Sequence, residues 1–572
     1  MASLVRRRCS WSRGYCLVAL LALATLSCPG HFGAAAAAGE GGSGGKWHVV
    51  SVSSLLPGKV CTATEAPPNP TALSVVHRHG PCSPRRSRGD PPPSHAEILG
   101  RDRERVAAIH RKVGRAAASQ GANATLQAHW GKPLGTSNYF ISVGLGTPAR
   151  DLCVEFDTGS DQSWVQCKPC GDCYEQRDPL FDPEGSSTYA AVSCGAQECR
   201  EFGSRNCSSS SDDEKCRYEV SYSDQSRTVG NLARDTLALT PTAAVPGFVF
   251  GCGHKDAGVF GEVDGLVGLG RGKASLASQA AAQYGAGFSY CLPSSPSTVG
   301  YLTFGAAASA PANAQFMAMV TGQHDDASFY YLNLTGVKVA GRAVKVPLAA
   351  FATAAGTIID SGTAFSRFPP RAYAALRSAF RRAMGGRYRR APAPAPFDTC
   401  YDLAGHEAVR VPSVALVFDG GATVVDLDPS GVLYEWDSVS QACLAFAHNP
   451  DEAALGVLGN VQQRTLAVVY DVGNEKIGFA AKGCAKSFID SQWLQCDAEM
   501  EMSTILDLPN SVTPPACPPT EIALLVQFCG RCCMHPLSAR CKTTVQLAIT
   551  CSPEVKLIFH PYLGSQGSLA TK

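Results

Sequence analysis

The chain has 572 residues, of which 45% are hydrophobic and 17% charged, so it can form two or three globular cores. The formal net charge is only +2, and 56 glycines with 37 prolines predict many turns and few long helices. Because no apolar run reaches the roughly 18 residues that a bilayer requires, we expect no transmembrane helix.

The first 38 residues have the order of a secretory signal peptide. Four arginines within residues 6–13 precede the apolar run CLVALLALATLSC (16–28), and small alanines follow at 34–38. Basic, apolar and small residues in that order predict cleavage near the alanines. We therefore expect a secreted (apoplastic) or vacuolar protein. A plastid transit peptide is the alternative, because these 38 residues contain no acid.

Residues 39–138 form a basic leader. They hold 13 Lys and Arg against six Asp and Glu, a net charge of +7, and they are rich in Pro, Ala and Arg. One charged stretch, EILGRDRERVAAIHRKVGR (97–115), has a helical pattern. Its alternative interpretation is a solvated linker, the usual fate of such a charge run.

From Tyr139 onward the pattern becomes that of a mainly β protein. Short apolar or alternating runs, broken by Gly, Pro, Asp and Asn, predict strands. These runs include YFISVGLG, LCVEF, GFVFGCG, YLTFG, YYLNLTGVKVAG, GTIID, VALVFDGGATVVDL and TLAVVYDVGNEKIGFA. The one clear helix is predicted at 370–384. We predict an N-terminal lobe at 139–310 and a C-terminal lobe at 311–486.

The body of the chain (residues 139–486) and its tail (residues 487–572) differ in charge and in sequence pattern. Residues 139–486 carry a net charge of −7, which argues against nucleic acid as a partner. Residues 487–572 have a net charge of −2, seven cysteines and no clear strand or helix periodicity. We expect this tail to lie outside the catalytic fold.

Twenty-five cysteines indicate an oxidising compartment. CKPCGDC (167–173) has a spacing that zinc or redox sites also use, but no histidine lies nearby, so disulfides are the better interpretation. Three sequons, at Asn123, Asn206 and Asn333, are candidate glycosylation sites. GLGRGKAS (268–275) lacks the phosphate-loop spacing, and the 13 histidines show no metal-ligand pairing. We predict no metal and no cofactor.

Two short motifs repeat the same chemistry. Asp157-Thr158-Gly159-Ser160 and Asp360-Ser361-Gly362-Thr363 each follow an apolar run, with Asp, a hydroxyl, Gly and a hydroxyl in the same order. Two carboxylates held close together share one proton and titrate as a pair. The ionised member can deprotonate a water while the protonated member polarises a peptide carbonyl.

These motifs resemble those of the pepsin-like aspartic peptidases, and specifically the plant nepenthesin-type branch. DGLVGLGRG (264–272) and GVLGNVQQRTLAVVYD (456–471) resemble segments that run beside each catalytic loop in that family. The resemblance implies a mainly β, bilobal fold with a cleft between the lobes and a catalytic dyad of Asp157 and Asp360. It also implies a flap tyrosine, Tyr222, with Trp164 as its hydrogen-bond neighbour. The implied activity is acid hydrolysis of protein and peptide substrates by a monomer.

Two departures from the family pattern matter. Ser223 and Gln225 stand where the flap usually has glycine, and side chains there are expected to stiffen the flap or narrow the cleft. The second departure, a smaller one, is Gln162, which stands where an apolar residue is usual. This leaves a second interpretation, a catalytically impaired homologue that binds a protein or polysaccharide. A third, nucleic-acid binding in a plastid, would rest on the basic leader alone.

The resemblance also implies a disulfide pattern, including a Cys-rich insert at about 167–216. The implied pairs are Cys167–Cys170, Cys173–Cys252, Cys194–Cys216, Cys199–Cys207, Cys291–Cys484 and Cys400–Cys443. Cys153 is then left over as a buried thiol.

The opposite charges of leader and body predict an inactive precursor. At neutral pH the leader attracts the body and can pair with the dyad itself. Acid protonates carboxylates, whose usual pKa is about 4, while arginine keeps its charge, so the attraction weakens as pH falls. We therefore expect self-cleavage in acid between about residues 114 and 138.

Overall fold

Short β-strands make up most of the described chain, as the turn-rich composition predicts. The computed structural model describes residues 2–7, 45–55, 60–62, 69–78, 80–83, 94–119, 139–176, 178–203, 214–221, 226–258, 260, 263–305, 310–321, 328–347, 350–351, 356–436, 438–484, 522–531 and 542–551. The chain divides into two compact units, one of residues 42–495 and one that joins residues 1–41 to residues 496–572.

The strands are numbered in chain order. Those up to the end of the first half are β1 (Ala2–Arg7), β2 (Trp47–Ser51), β3 (Leu73–His77), β4 (Tyr139–Leu145), β5 (Arg150–Asp157), β6 (Trp164–Gln166), β7 (Asp172–Cys173), β8 (Ala190–Ala191), β9 (Arg217–Ser221), β10 (Arg227–Thr240), β11 (Ala243–Ala257), β12 (Gly265–Gly268), β13 (Gly287–Cys291) and β14 (Val299–Phe304). Those of the second half are β15 (Gln315–Ala318), β16 (Tyr330–Leu332), β17 (Leu334–Val339), β18 (Arg342–Ala343), β19 (Thr357–Ile359), β20 (Ser366–Phe368), β21 (Arg389–Ala391), β22 (Cys400–Asp402), β23 (Ala408–Pro412), β24 (Val414–Phe418), β25 (Thr423–Asp426), β26 (Leu433–Trp436), β27 (Ser438–Leu444), β28 (Phe446–His448), β29 (Gly456–Leu458), β30 (Ala467–Asp471), β31 (Lys476–Ala480), β32 (Ile522–Arg531) and β33 (Lys542–Cys551).

Helices are few, and most are short. They are α1 (His95–Ser119), α2 (Gln197–Phe202), α3 (Leu276–Gln279), α4 (Ala281–Tyr284), α5 (Pro370–Met384), α6 (Pro429–Val432) and α7 (Asn460–Gln463). The helix predicted at 370–384 is confirmed as α5, which buries Tyr373, Leu376 and Phe380 on one face. None of the helices among the described residues is both long and apolar enough to cross a membrane.

The charged stretch of the leader is helical and partly buried, so its interpretation as a solvated linker is wrong. Helix α1 covers the stretch predicted to be helical and buries Leu99, Val106 and Ile109. These side chains recur at helical spacing, and Leu99 and Ile109 pack with side chains of the body.

A leader strand lies inside the main sheet. The fifteen-stranded sheet includes the order β15-β31-β30-β13-β14-β3-β4-β5-β12, which contains strands of both halves of the chain. Within it, β3 pairs antiparallel with β14 on one side and with β4 on the other. The leader therefore supplies a central strand of the body that it precedes.

The same three-stranded arrangement occurs once in each half of the chain. In the first half, β12 pairs parallel with β5 and antiparallel with β6. In the second half, β29 pairs parallel with β19 and antiparallel with β20. The mainly β, bilobal architecture predicted from the sequence is confirmed.

The disulfides correct four of the implied pairs. The structure pairs Cys167 with Cys252 and Cys170 with Cys173, instead of Cys167–Cys170 and Cys173–Cys252. The reason is strand register: β6 runs parallel to β11 with Val165 opposite Cys252, so Cys167 comes beside Cys252, whereas Cys173 lies opposite Asp256.

A second correction concerns the rest of the insert. Cys199, on α2, pairs with Cys216, so Cys194–Cys216 and Cys199–Cys207 are wrong, although Cys194 is itself disulfide-bonded. Cys291–Cys484 and Cys400–Cys443 occur as the resemblance implied. The leader has an additional pair, Cys61–Cys82. Cys153 is a buried thiol, as expected.

The tail contains strands that its sequence did not lead us to expect. In the unit formed by the chain ends, β32 pairs antiparallel with β33 and with β1. The expectation of no periodicity is wrong because KTTVQLAITC (542–551) and the apolar run at 522–528 are rich in β-forming residues. The boundaries proposed for signal, leader, lobes and tail stay predictions.

Candidate active site

Asp157 and Asp360 stand at the ends of equivalent strands. Asp157 is the last residue of β5 and lies opposite Gly268 of the parallel strand β12. Asp360 directly follows β19, and its backbone N–H donates to the carbonyl of Leu458, at the end of the parallel strand β29. Both aspartates thus stand at the end of a buried apolar strand, which holds them on rigid elements. They are 1% exposed or less.

The two motifs are cross-braced through their hydroxyl residues. The N–H of Thr158 donates to Oγ of Ser361 at 3.0 Å, and the N–H of Ser361 donates to Oγ1 of Thr158 at 2.9 Å. Both side chains are buried. This reciprocal pair ties the loop of the first motif to that of the second, so buried hydrogen bonds set the relative position of the two carboxylates.

Each carboxylate also accepts hydrogen bonds from its own loop. Asp157 accepts from the N–H of Gly159 at 3.0 Å and from the hydroxyl of Ser160 at 2.7 Å. Asp360 accepts in the same way from Gly362 at 2.9 Å and from the hydroxyl of Thr363. All eight motif residues therefore lie together, arranged by nearly the same contacts on both sides.

The glycines of the motifs are required by close approach. A Cβ at Gly159 would collide with the carboxylate of Asp360, and a Cβ at Gly362 would collide with that of Asp157. Each glycine thus leaves room for the carboxylate of the opposite motif.

A leader arginine occupies the dyad. From α1, the Arg105 guanidinium donates through Nη2 to Oδ1 of Asp157 at 2.7 Å and to Oδ1 of Asp360 at 3.0 Å. Its Nε donates to Oδ2 of Asp360 at 3.1 Å. Arg105 therefore lies where a water and a peptide carbonyl would have to bind for the predicted reaction.

The two aspartates have opposite pKa shifts. Burial raises the pKa of Asp157, but the Arg105 charge and the hydrogen bonds from its own loop outweigh burial and lower it overall. Burial also raises the pKa of Asp360, and there the charge of Asp157 adds to burial, so the pKa stays raised despite Arg105. Burial disfavours the charged form of Arg105, yet the two carboxylates raise its pKa overall.

Helix α1 fills the region beside the dyad with further contacts. Leu99 packs with Phe365 and Phe397, and Ile109 packs with Phe329 and other side chains of the C-terminal lobe. One turn before Arg105, the buried carboxylate of Asp102 accepts hydrogen bonds from the body.

Sequence reasoning indicated that a leader group can pair with the dyad, but it did not identify Asp102 or Arg105. The available signal was their spacing of three, which places both on one face of the single helix predicted in the leader.

Several predicted site features lie elsewhere or outside the described residues. Trp164 is fully buried and packs edge-on against Phe260, with ring centroids 4.6 Å apart. Tyr222, Ser223 and Gln225 lie outside the described residues, so the flap stays a prediction. Gln162 donates its side-chain amide to the carbonyl of Ser163.

The glycosylation candidates stay predictions. Asn333 is exposed, and its side-chain amide donates to Asp419 at 3.0 Å, whereas Asn123 and Asn206 lie outside the described residues. In the GLGRGKAS segment, the N–H of Gly272 donates to Asp161 at 2.8 Å, which fits a structural role.

Comparisons with known proteins identify what the chain is similar to. Residues 139–306 match the family described as xylanase inhibitor N-terminal, and residues 329–481 match the one described as xylanase inhibitor C-terminal. An aspartyl protease family protein of Arabidopsis thaliana is 43% identical over 451 residues, which cover 77% of this chain and 93% of that protein.

Two further proteins show how far the similarity extends. The aspartic proteinase nepenthesin-1 of Nepenthes gracilis is 32% identical, over 62% of this chain and 79% of its own length. The crystal structure of basic 7S globulin from soybean has the same fold, with a TM-score of 0.50 and 22% identity over 62% of this chain and 96% of that one.

Proposed function

Because the chain belongs to the plant family of atypical, pepsin-like aspartic peptidases, we propose that it is a secreted endopeptidase that acts in acid and is made as an inactive precursor. The observation that carries the proposal is the pair of buried carboxylates of Asp157 and Asp360, both contacted by one guanidinium nitrogen. Two acids that can share one cation are close enough to share one water.

The proposed reaction uses the dyad in opposite protonation states. After Arg105 has left, the ionised carboxylate takes a proton from a bound water, and the resulting hydroxide attacks the peptide carbon. The protonated carboxylate donates its proton to the carbonyl oxygen, and a tetrahedral intermediate forms without a covalent bond to the protein. Collapse of this intermediate transfers a proton to the leaving amine and breaks the C–N bond.

Arg105 makes the leader an inhibitor of the same site. Asp157 has a lowered pKa in this state, so its pairing with Arg105 is complete above its usual value near 3.8 and is lost as pH falls through the lowered value. Acid therefore weakens the pairing that holds the leader, and Asp360, whose pKa is raised, supplies the single proton that the reaction needs. Cleavage between residues 114 and 138 would make the release permanent.

The test is to incubate the purified precursor at pH 3 and at pH 7 with a protein substrate such as casein. We expect hydrolysis and a new N-terminus between residues 114 and 138 at pH 3 only. Full activity in acid with the leader uncut would contradict the precursor mechanism, and no hydrolysis at any pH would contradict the peptidase.

A second function has one specific observation in its favour. Both family descriptions that match this chain are of xylanase inhibitors. A catalytically impaired protein that binds a protein or polysaccharide would satisfy them equally. The intact hydrogen-bonded dyad favours the enzyme, and the hydrolysis assay decides between the two.

The remaining parts of the proposal follow from the cysteines and the charge. The disulfides support secretion to the apoplast or vacuole over the plastid alternative. We propose a monomer whose partners are protein or peptide substrates and its own leader, with no cofactor, no metal and no nucleic acid.

A further inference from the structure

The leader places a carboxylate, as well as a cation, in the cleft. Asp102 is fully buried, and its Oδ1 accepts from the N–H groups of Ala364 at 2.8 Å and Phe365 at 3.0 Å. Its Oδ2 pairs with Nη2 of Arg367 at 2.6 Å, with side-chain exposures of 0% for the aspartate and 6% for the arginine. Three donors and one positive charge of the body thus converge on one carboxylate.

These donors adjoin the catalytic machinery. Ala364 and Phe365 directly follow the second motif, and Asp102 lies one helical turn from Arg105, whose guanidinium contacts both catalytic aspartates. One turn of helix rises about 5 Å, which corresponds to one or two residues of an extended peptide. A substrate bound across the dyad would therefore pass the position that Asp102 occupies.

The receptor for this carboxylate belongs to a rigid strand. Arg367 is the middle residue of β20, which pairs with both β28 and β29. The neighbouring Ser366 is held through its N–H and hydroxyl by the side-chain oxygen of Gln462. Departure of α1 would remove the carboxylate while the strand that carries the guanidinium stays in place.

Without Asp102, the guanidinium has lost its counter-charge. Asp102 is the hydrogen-bond partner of Arg367 among the described residues, and Nε of Arg367 has none there. A guanidinium that has lost its partner can form charge-assisted hydrogen bonds with another carboxylate, so a new carboxylate is favoured at this point.

We propose that, after the leader departs, Arg367 and the N–H groups of Ala364 and Phe365 form a subsite for an Asp or Glu side chain of the substrate. The carboxylate binds within a few residues of the bond to be cut, in the position that Asp102 holds in the precursor. This inference rests on the proposed peptidase function and adds a substrate preference to it.

The test uses pairs of peptides that differ only by Glu or Gln at one position, scanned along both sides of the cleaved bond. The acid-activated wild-type chain is expected to prefer Glu at one position by about tenfold in kcat/KM, mostly through KM. The preference is expected at pH 5 and to fade near pH 3, because the glutamate side chain, with a pKa of about 4.3, becomes protonated.

The decisive variant is the double substitution Asp102→Asn with Arg367→Met, which removes both charges so that the precursor keeps no buried unpaired ion. It is expected to hydrolyse both peptides with a Glu-to-Gln ratio near one. Arg371→Met, at an arginine whose side chain is 79% exposed, is the matched control and is expected to keep the wild-type ratio.

The outcomes separate this inference from the function on which it rests. Equal hydrolysis of Glu and Gln peptides by the wild type at every position, or an unchanged ratio in the double variant, overturns the subsite and leaves the peptidase standing. Absence of hydrolysis of any peptide by the activated chain overturns both.

Discussion

The loops that carry Asp157 and Asp360 have the same motif and nearly the same hydrogen bonds, yet the pKa values of their aspartates shift in opposite directions. Each carboxylate accepts from the glycine N–H and the hydroxyl of its own loop. The pKa is nevertheless lowered at Asp157 and raised at Asp360, where burial and the neighbouring negative charge prevail. The charges around a motif, not the motif itself, decide which aspartate loses its proton more readily.

The largest effect is expected from removing either member of the pair. Asp157→Asn or Asp360→Asn should each lower peptide hydrolysis by about a thousandfold or more, since both an acid and a base are required. The measurement is the initial rate with one peptide, with circular dichroism as the control for folding. A variant that retains wild-type hydrolysis would show that the two loops are not a catalytic pair.

Removing the charge of Arg105 should change the pKa difference between Asp157 and Asp360 and leave both carboxylates in place. In the precursor of Arg105→Gln, the charge that lowers the pKa of Asp157 is gone, so the inhibitory contact no longer needs acid to open. Activation should then begin at a higher pH than in the wild type, by about one pH unit or more. The measurement is the pH dependence of leader cleavage.

The matched control for this variant is Arg103→Gln, an exposed arginine on the same helix. It should activate with the wild-type pH profile. If both variants shift the profile equally, the total charge of the leader matters and the contact with the dyad does not.

A third carboxyl shows what burial does without a cation. Burial raises the pKa of Asp256 to about 7. For such a group, stability is complete below the unfolded pKa of 3.8 and is lost as pH rises through about 7. The effect of Asp256→Asn on the free energy of unfolding, measured against wild type, should therefore be more favourable at pH 7.5 than at pH 4, by roughly 2–4 kcal/mol.

Thermal or urea unfolding of wild type and variant at both pH values measures this difference. Asp151→Asn, at an exposed position on β5, is the control and should show none. A pH-independent effect of Asp256→Asn would mean that the carboxyl is already ionised in the native protein.

The smallest expected effect concerns the cross-brace, which is symmetric. Thr158→Val leaves the N–H of Ser361 without its partner, and Ser361→Ala does the same to the N–H of Thr158. Each should lower the free energy of unfolding by about 1–3 kcal/mol, and by similar amounts. Urea unfolding measures this loss, and Thr242→Val, at an exposed threonine, is the control. If only one of Thr158→Val and Ser361→Ala lowers the free energy of unfolding, the two hydrogen bonds do not contribute equally.

The sequence predicts the repeated part of this molecule well and the non-repeated part poorly. The strands, helix α5 and the meeting of the two motifs follow from local patterns and from a motif that occurs twice. The disulfides of the insert depend on strand register, which put Cys167 rather than Cys173 beside Cys252. Arg105 could not be selected from among the leader arginines, because its partners lie 52 and 255 residues away.

The position of β3 has a consequence for the proposed maturation, which it would make a one-way process. The body folds with this leader strand hydrogen-bonded on both sides, and Arg78, just beyond it, forms an ion pair with the buried Glu155 of β5. If cleavage lets β3 leave, β4 and β14 lose their common neighbour, and the mature chain no longer contains the segment around which it folded. Such a protein would be long-lived for kinetic reasons. Its activity, once lost by unfolding, would not return on refolding unless the leader were supplied again.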